Sequence, residues 1–341
     1  MFFASDNWAG VHPDISANLT RHAAGIATAY GDGDLDRAVY RCFNEIFERD
    51  VEVFFVATGT AANALSMAAL NRIGGIALCH SEAHMNVDEF GAMGFYTGGA
   101  RVIPVPGPLG RINQQALDKT IQRYSRDLAP GGQPMAVTIT QATEVGTVYT
   151  VDDVKAIAEV SRRHGLPLHM DGARFANAVA SLNCAPRTFT WDIGVDVLCF
   201  GGTKNGTAAG ELVIFFNKEV SREFDYRVKQ AGQLGSKMRF LAAPWMGLLM
   251  GDVWLRNAQQ ANRAARELAG GLQSKANVEI VFPVEANAVF ARMDDQLVRG
   301  LQARGWRFYK FIEPDVYRLM CSWATTESDI SDFIRDVTLN H

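Results

Sequence analysis

Four places in the sequence combine the end of a predicted strand with residues that can do chemistry. His84 follows one apolar run, Asp171 and Arg174 follow another, and Lys204 lies in a glycine-rich turn after a third. At residues 58–63, Thr-Gly-Thr-Ala-Ala-Asn, a glycine turn leads into a helix start, whose unpaired N–H groups and dipole favour an anion. This string has neither the ending of a P-loop nor the spacing of a dinucleotide fingerprint. It therefore favours a phosphate site and does not support a nucleotide site.

Taken one at a time, these residues have ordinary structural explanations: a tight turn, a loop histidine, an Asp-Arg surface pair and a solvated lysine. Their combination is more informative. An imidazole can stack on a flat ring or move a proton, a carboxylate can hold a protonated ring nitrogen, and a lysine amine can form a Schiff base with an aldehyde. With the anion site, these groups are the ones needed to hold pyridoxal 5′-phosphate, so the sequence predicts that cofactor.

The elements that must position these residues are short apolar strands alternating with helical patterns. This alternation predicts a mostly parallel sheet covered by helices on both faces, which binds ligands at the carboxyl ends of its strands. A later apolar strand, residues 211–216, is expected to lie antiparallel to its predecessor. The strands predicted before it are residues 51–57, 76–80, 101–105, 135–141, 166–170 and 197–200.

The pattern divides the chain into three parts. Residues 1–30 lack strong periodicity and are expected to form an irregular arm, residues 31–243 form a large α/β domain, and residues 244–341 form a small α+β domain. In the small domain we expect, in chain order, a long helix (residues 254–272), two strands (278–283 and 287–293), a helix, one more strand (316–321) and a terminal helix.

Composition excludes several classes of protein. Hydrophobic residues make up 48% and charged residues 21%, as in folded globular proteins, and the net charge of -4 provides no basic field for nucleic acid. There is no run of about 20 apolar residues and no basic start of a secretion signal, so we expect a cytoplasmic enzyme without a membrane partner. Five cysteines without a C-x-x-C pair are expected to be reduced core residues, and no metal site is predicted: Cys42, Cys79, Cys184, Cys199 and Cys321.

Three strings in the chain resemble those of a known family: residues 58–63, the Asp-Gly-Ala-Arg string at 171–174, and the Lys204 turn. They are similar to the low-specificity L-threonine aldolases, which are pyridoxal-phosphate enzymes of fold type I, and the similarity runs from Ser5 to Arg318. The resemblance implies an aspartate aminotransferase-like fold. It also implies cleavage of threonine, allo-threonine or a bulkier β-hydroxy amino acid such as phenylserine to glycine and an aldehyde.

The resemblance implies a role for each matching residue near the cofactor. Lys204 would form the imine with the cofactor aldehyde, Asp171 would pair with the pyridine nitrogen, and His84 would stack on the ring and take part in catalysis. Gly59 and Thr60 would bind the phosphate.

The implied substrate residues are more widely spread along the chain. Arg174, which would also adjoin the cofactor, and Arg318 match the arginines that bind the substrate carboxylate, and Ser5 would reach the same region. Tyr30, in a Tyr-Gly-Asp segment, implies a contribution across a subunit interface. A homodimer or homotetramer with its active sites between subunits is therefore expected.

The chain departs from the family pattern at two points. Many members carry Thr-His-Asn where this chain has Thr143-Glu144-Val145. Glu144 either replaces that imidazole as proton acceptor or tunes the polarity of the pocket, so the general base is Glu144, His84 or a bound water. In the basic segment after Gly235, Lys237 is aligned with a family arginine and is predicted to bind phosphate across the interface.

Two other functions use the same residues differently. A transaminase or β-eliminating lyase of the same fold would employ Lys204 but break another bond, giving a keto acid in place of glycine and aldehyde. A non-catalytic protein that retains the scaffold for binding or assembly would show no visible absorption with the cofactor.

Overall fold

A seven-stranded sheet forms the centre of the computed structural model, which describes residues 2–124 and 131–339. The strand order is β1-β7-β6-β5-β4-β2-β3; β2 to β6 pair in parallel, and β7 is antiparallel to both β6 and β1. The mostly parallel sheet and the reversed last strand are as predicted. The strands are β1 (Glu52–Val56), β2 (Gly75–His80), β3 (Arg101–Val105), β4 (Gln133–Thr140), β5 (Leu168–Gly172), β6 (Val197–Phe200) and β7 (Glu211–Phe215).

Helices cover both faces of this sheet because successive strand residues alternate between two apolar clusters. Leu198 and Phe200 lie in the cluster under one face, whereas Val197 and Cys199 lie in the cluster under the other. The helices of this domain are α1 (Pro13–Ala23), α2 (Asp34–Ile46), α3 (Gly59–Ala69), α4 (His84–Val87), α5 (Ala92–Thr97), α6 (Gln114–Arg123), α7 (Val151–Arg163), α8 (Phe175–Leu182), α9 (Lys218–Ser221), α10 (Phe224–Gln230) and α11 (Arg239–Leu249).

The C-terminal part contains a second, antiparallel sheet with its own apolar core. Its strands lie in the order β10-β11-β9-β8. The strand β10 was not predicted, because its residues are largely exposed and carry no apolar alternation. The elements are α12 (Val253–Gln273), β8 (Val278–Ile280), β9 (Ala288–Met293), α13 (Asp295–Ala303), β10 (Tyr309–Ile312), β11 (Val316–Met320) and α14 (Glu327–Leu339).

The N-terminal segment is more regular than the sequence predicts. Instead of an irregular arm over residues 1–30, it contains a short 3₁₀ helix (Asp6–Trp8) and the helix α1. His12 caps α1 by accepting the Asp14 N–H, and Pro13 suits the first helical position. The backbone of α1 comes so close to α11 that a Cβ on Gly247 would lie 2.8 Å from the Cα of Ile15. This packing, which periodicity alone does not reveal, stabilises the helix.

The boundary predicted at residues 243 and 244 falls inside the helix α11. Leu248 and Trp254 still belong to the core of the large domain. The change of core occurs along α12, where Ala258 packs in the large domain and Ala264 in the small one. A long helix shared by both domains has no break in its apolar periodicity, so the sequence pattern does not show where one core ends and the other begins.

No helix in the described parts of the chain is long and apolar enough to cross a bilayer.

Candidate active site

A cavity of about 260 Å³ opens at the edge of the large sheet where the parallel strands end. The structure brings together there all four places that the sequence indicated, although they come from different strands. The strand β5 ends two residues later than predicted, so Asp171 belongs to the strand and pairs with Thr140 and Cys199. The side chains and turns that line the cavity include those of Asn7, Thr58, Gly59, Thr60, His84, Asp171, Ala173, Thr203, Lys204 and Glu211.

One end of the cavity is the N-terminus of α3. Thr58 caps this helix by accepting the Ala61 N–H at 3.1 Å, and its carbonyl accepts the Ala62 N–H. The N–H groups of Gly59 and Thr60 have no acceptor among the described residues. A Cβ on Gly59 would meet nothing within 4 Å, so the space above the turn is open. A phosphate at this position would receive unpaired N–H groups and the positive end of the helix dipole.

At the floor of the cavity, Asp171 is held by two donors. Its Oδ2 accepts from Asn63 Nδ2 at 2.9 Å, and its Oδ1 accepts from the Ala173 N–H at 3.0 Å. Asn63 also donates to Glu89 Oε1 at 2.7 Å. Because Asn63 lies on α3, the helix that offers the anion site also fixes the carboxylate that would face a ring nitrogen.

His84 stands at the side of the cavity and is oriented by a buried carboxylate. Its Nδ1 lies 3.0 Å from Glu89 Oε1. That hydrogen bond raises the pKa of His84, partial burial opposes the rise, and the charges of Asp171 and Glu144 add to it. Burial raises the pKa of Glu89, while its hydrogen bonds with His84 and Asn63 work in the opposite direction. The imidazole therefore favours its protonated form more than a free histidine does.

Lys204 projects from a 3₁₀ turn (Thr203–Asn205) directly after β6. The two glycines before it are required by close packing: a Cβ on Gly201 would lie 2.2 Å from the Ala173 carbonyl oxygen, and one on Gly202 would lie 2.6 Å from the Trp245 ring. The backbone that precedes Lys204 is therefore tightly packed between Ala173 and Trp245.

Arg174 follows the cavity residue Ala173 but does not line the cavity, and its guanidinium fork is already engaged. Nε and Nη2 donate to the two carboxylate oxygens of Asp6 at 2.7 and 3.1 Å, and Asn287 Nδ2 donates to Asp6 at 3.1 Å. Burial alone would raise the pKa of Asp6, but the charges of Arg174 and Lys204 and these hydrogen bonds lower it to about 2. Glu144 Oε2 lies 3.9 Å from Arg174 Nη1. Asp6 thus fixes Arg174, and Glu144 adjoins it.

Arg318, on β11 of the small domain, is the freer cation. Its Nε is buried without a hydrogen-bond partner, and among the described residues no carboxylate lies within 4.0 Å of its guanidinium. The guanidinium carbon lies 5.1 Å from the Phe311 ring centroid. Burial and the nearby charge of Arg174 lower its pKa. A partly buried cation without an ion pair suits an incoming carboxylate.

Six residues predicted for the site are not among those that line this cavity: Arg174, Arg318, Glu144, Ser5, Tyr30 and Lys237. Ser5 accepts the Asn7 N–H at 3.2 Å and so starts the turn that carries Asp6. Tyr30 is 54% exposed, with Lys229 over its ring, and Lys237 is exposed as well. The predicted roles of Tyr30 and Lys237 need a second subunit, and these roles and that of Ser5 stay predictions.

Sequence reasoning missed several residues of the site: Asp6, Asn7, Glu89 and Glu211, together with the role of Asn63. Glu211 could have been found, because the first residue of an antiparallel strand lies at the edge where its parallel neighbours end. Asp6 has no such signal, since its partner Arg174 is 168 positions away.

The residues present fit pyridoxal 5′-phosphate. The cavity offers unpaired backbone donors for a phosphate, a buried carboxylate held by two donors for a ring nitrogen, and a lysine amine for an aldehyde. Within residues 2–124 and 131–339, no three His, Cys, Asp or Glu side chains form a metal site. All five cysteines lie in that part of the chain and are free thiols.

Comparisons with known proteins agree with this site. A family model described as beta-eliminating lyase matches residues 3–296. The chain is 46% identical to the low specificity L-threonine aldolase of Pseudomonas aeruginosa, over 99% of this chain and 97% of that protein, and 44% identical to its counterpart from a Pseudomonas species, over 98% and 96%. The solved threonine aldolase structure from Leishmania major aligns with a TM-score of 0.93 at 25% identity, covering 100% of this chain and 99% of the other. The chain therefore belongs to the beta-eliminating lyase family of pyridoxal-phosphate enzymes, and within it to the low-specificity L-threonine aldolases.

Proposed function

We propose that this protein cleaves a β-hydroxy-α-amino acid, threonine or a bulkier analogue such as phenylserine, to glycine and an aldehyde. The observation that carries the proposal is the convergence in one cavity of Lys204, Asp171 and the open N-terminus of α3. Arg318, whose charge interacts with those of Arg174, Asp6 and Glu144, adds a cation without an ion pair in the described part of the chain. The curated relatives at 46% and 44% identity are named for the same reaction class.

Pyridoxal phosphate, when bound, supplies an electron sink for the carbon that loses its bond. The N–H groups of Gly59 and Thr60 would bind its phosphate, Asp171 would keep its ring nitrogen protonated, and His84 would cover one ring face. Lys204 would bind its aldehyde carbon through the side-chain amine.

The substrate carboxylate is bound by Arg318, with Arg174 next to it. Because Asp6 and Asn287 fix the Arg174 side chain, the carboxylate meets a rigid surface on one side and a freer guanidinium on the other. Binding of the carboxylate limits rotation of the substrate about the bond to its amine nitrogen. Correct orientation of the bond that breaks can lower the barrier to cleavage by several kcal/mol.

Glu144 takes the proton of the β-hydroxyl in this proposal. Its side chain is 10% exposed, its Oε2 lies 3.9 Å from Arg174 Nη1, and its charge acts on His84. His84 Nδ1 is engaged by Glu89, so His84 serves to cover the ring. A general base must lie within hydrogen-bond reach of the proton that it removes, and the nearness of Glu144 to Arg174 and His84 supports this role.

Two copies of the chain associate in this proposal, with Tyr30 and Lys237 of one subunit near the site of the other. Large apolar side chains exposed in the single chain support it; they include Ile26, Phe90 and Phe95, exposed at 106%, 105% and 81%. The five free thiols suit a reducing compartment, which supports action in the cytoplasm.

The experiment is product analysis with L-threonine, L-allo-threonine and phenylserine as substrates. We expect glycine and the matching aldehyde in equal amounts; a keto acid in their place would indicate a transaminase or β-eliminating lyase. Lys204→Ala should lose both the visible absorption of the bound cofactor and turnover. Lys218→Ala, which removes an exposed lysine paired with Asp50 and Glu52, is the matched control and should keep both.

A further inference from the structure

Glu211 is a buried carboxylate in the cavity with no role in the function proposed above. It is 9% exposed and begins β7, directly beside the turn that carries Lys204. Its Oε2 accepts the Gly202 N–H at 2.5 Å and the Thr203 N–H at 3.4 Å. The side chain thus holds the two residues that precede the lysine, through hydrogen bonds to their backbone.

These hydrogen bonds add to two close contacts that already limit where the turn can lie. The Ala173 carbonyl blocks Gly201 on one side, and the Trp245 ring blocks Gly202 on another. Both contacts are steric and limit only how close the backbone can come. Hydrogen bonds to an ionised acceptor supply the attraction that holds it in place, and they are roughly twice as strong as neutral ones.

The charge of Glu211 faces the same space as the lysine. Both residues line the cavity. Burial raises the pKa of Glu211, while hydrogen bonds from Thr203 and Gly202 and the positive charge of Lys204 lower it. The carboxylate and the ammonium therefore act on each other across the cavity, and the protein retains a buried acid where a neutral acceptor could have held the backbone.

We propose that Glu211 is a positioning residue for Lys204: it fixes the Gly202-Thr203 backbone and supplies the counter-charge when the lysine amine is free. This inference rests on the proposed role of Lys204. When the lysine amine is free it carries a positive charge, which needs a counter-charge nearby. Glu211 is already hydrogen-bonded to the turn that carries the lysine, so it can supply this counter-charge without moving.

The test separates the hydrogen bond from the charge with three variants. Glu211→Gln keeps an acceptor of the same reach without the charge, Glu211→Asp keeps the charge but withdraws it from the turn, and Glu211→Ala removes both. Amide hydrogen exchange of residues 201–206 in the cofactor-loaded protein is the first readout. We expect exchange at Gly202 and Thr203 to accelerate about tenfold or more in the Asp and Ala variants, and less than about threefold in the Gln variant.

Steady-state kinetics provide the second readout. Loss of the counter-charge should lower kcat of Glu211→Gln about tenfold while KM changes less than about threefold, because the substrate carboxylate is bound elsewhere. Asp196→Asn is the matched control: Asp196 also accepts a backbone N–H, that of Leu168 at 2.9 Å, but lies at the opposite end of the sheet. It should leave both readouts unchanged.

Unchanged exchange in Glu211→Asp, or a wild-type kcat in Glu211→Gln, overturns the proposal. The Gln and Asp variants carry the test if Glu211→Ala does not fold. Amide exchange is measured without turnover, so it reports on how firmly Glu211 holds the turn whether or not the protein is active. Failure of the wild-type protein to release glycine would refute the proposed function, not the hydrogen bonding of the turn by Glu211.

Discussion

Replacing Asp6 with asparagine tests how strongly the N-terminal segment supports the site. In the folded protein the pKa of Asp6 falls from 3.8 to about 2, because the charges and hydrogen bonds of Arg174 and its neighbours outweigh burial. At 1.36 kcal/mol for each pKa unit, the ionised carboxylate stabilises the folded protein by ~2 kcal/mol. An asparagine oxygen still accepts a hydrogen bond from Arg174, so we expect a loss near ~2 kcal/mol, below the ~3–5 kcal/mol of a fully broken buried pair.

The pH dependence gives the sign of this effect. Since the folded pKa of Asp6 lies below its unfolded value, the stabilisation is complete above about pH 5 and is lost as the pH falls from about 4 toward 2. The difference in unfolding free energy between wild type and Asp6→Asn should therefore be constant near neutral pH. Below about pH 4 it should shrink.

The assay is urea unfolding followed by tryptophan fluorescence, at fixed protein and cofactor concentrations because association and ligand binding both shift stability. Asp34→Asn is the control: Asp34 pairs with Arg37 at 2.8 Å, but it is exposed, and such pairs contribute little. If Asp6→Asn unfolds at the same urea concentration as Asp34→Asn, the Asp6 carboxylate does not anchor Arg174.

Three further outcomes are expected. Glu144→Gln should lower kcat about 100-fold or more while the visible cofactor band remains, and wild-type kinetics would remove Glu144 from proton transfer. Glu89→Gln removes the main cause of the raised pKa of His84, so the limb of the kcat/KM pH profile that reports His84 should move to lower pH; a limb that stays in place contradicts the coupling. Arg318→Lys keeps the charge but loses the planar fork, and should raise KM for the amino acid about tenfold or more with kcat less affected, whereas an unchanged KM would place the carboxylate elsewhere.

The sequence predicted the parts of the site that depend on strand ends. Lys204, Asp171 and the turn at Gly59 follow apolar runs, and parallel strands place their carboxyl ends at one edge, so their meeting in one cavity follows from topology. His84 joins them because the turn after β2 lies at the same edge.

What the sequence did not reveal depends on tertiary packing. The pairing of Arg174 with Asp6 joins residues 168 positions apart, and no local pattern encodes it. The helix α1 is stabilised by α11, and α12 passes from one core to the other without a break in periodicity. Local propensity is a weak guide wherever a distant contact decides the conformation.

The attachment of the N-terminal segment has a consequence for the order in which the protein matures. The Phe3 carbonyl accepts the Met320 N–H, and Asp6 binds Asn287, which lies 281 positions later. During synthesis the turn that bears Lys204 emerges before Asn287 and Met320, which hold the N-terminal segment from the small domain. A ribosome-bound chain that ends before residue 287 already contains the Asp6–Arg174 pair but lacks Asn287 and Arg318, the cation proposed to bind the substrate carboxylate, so competence to recognise an amino acid is expected late in translation.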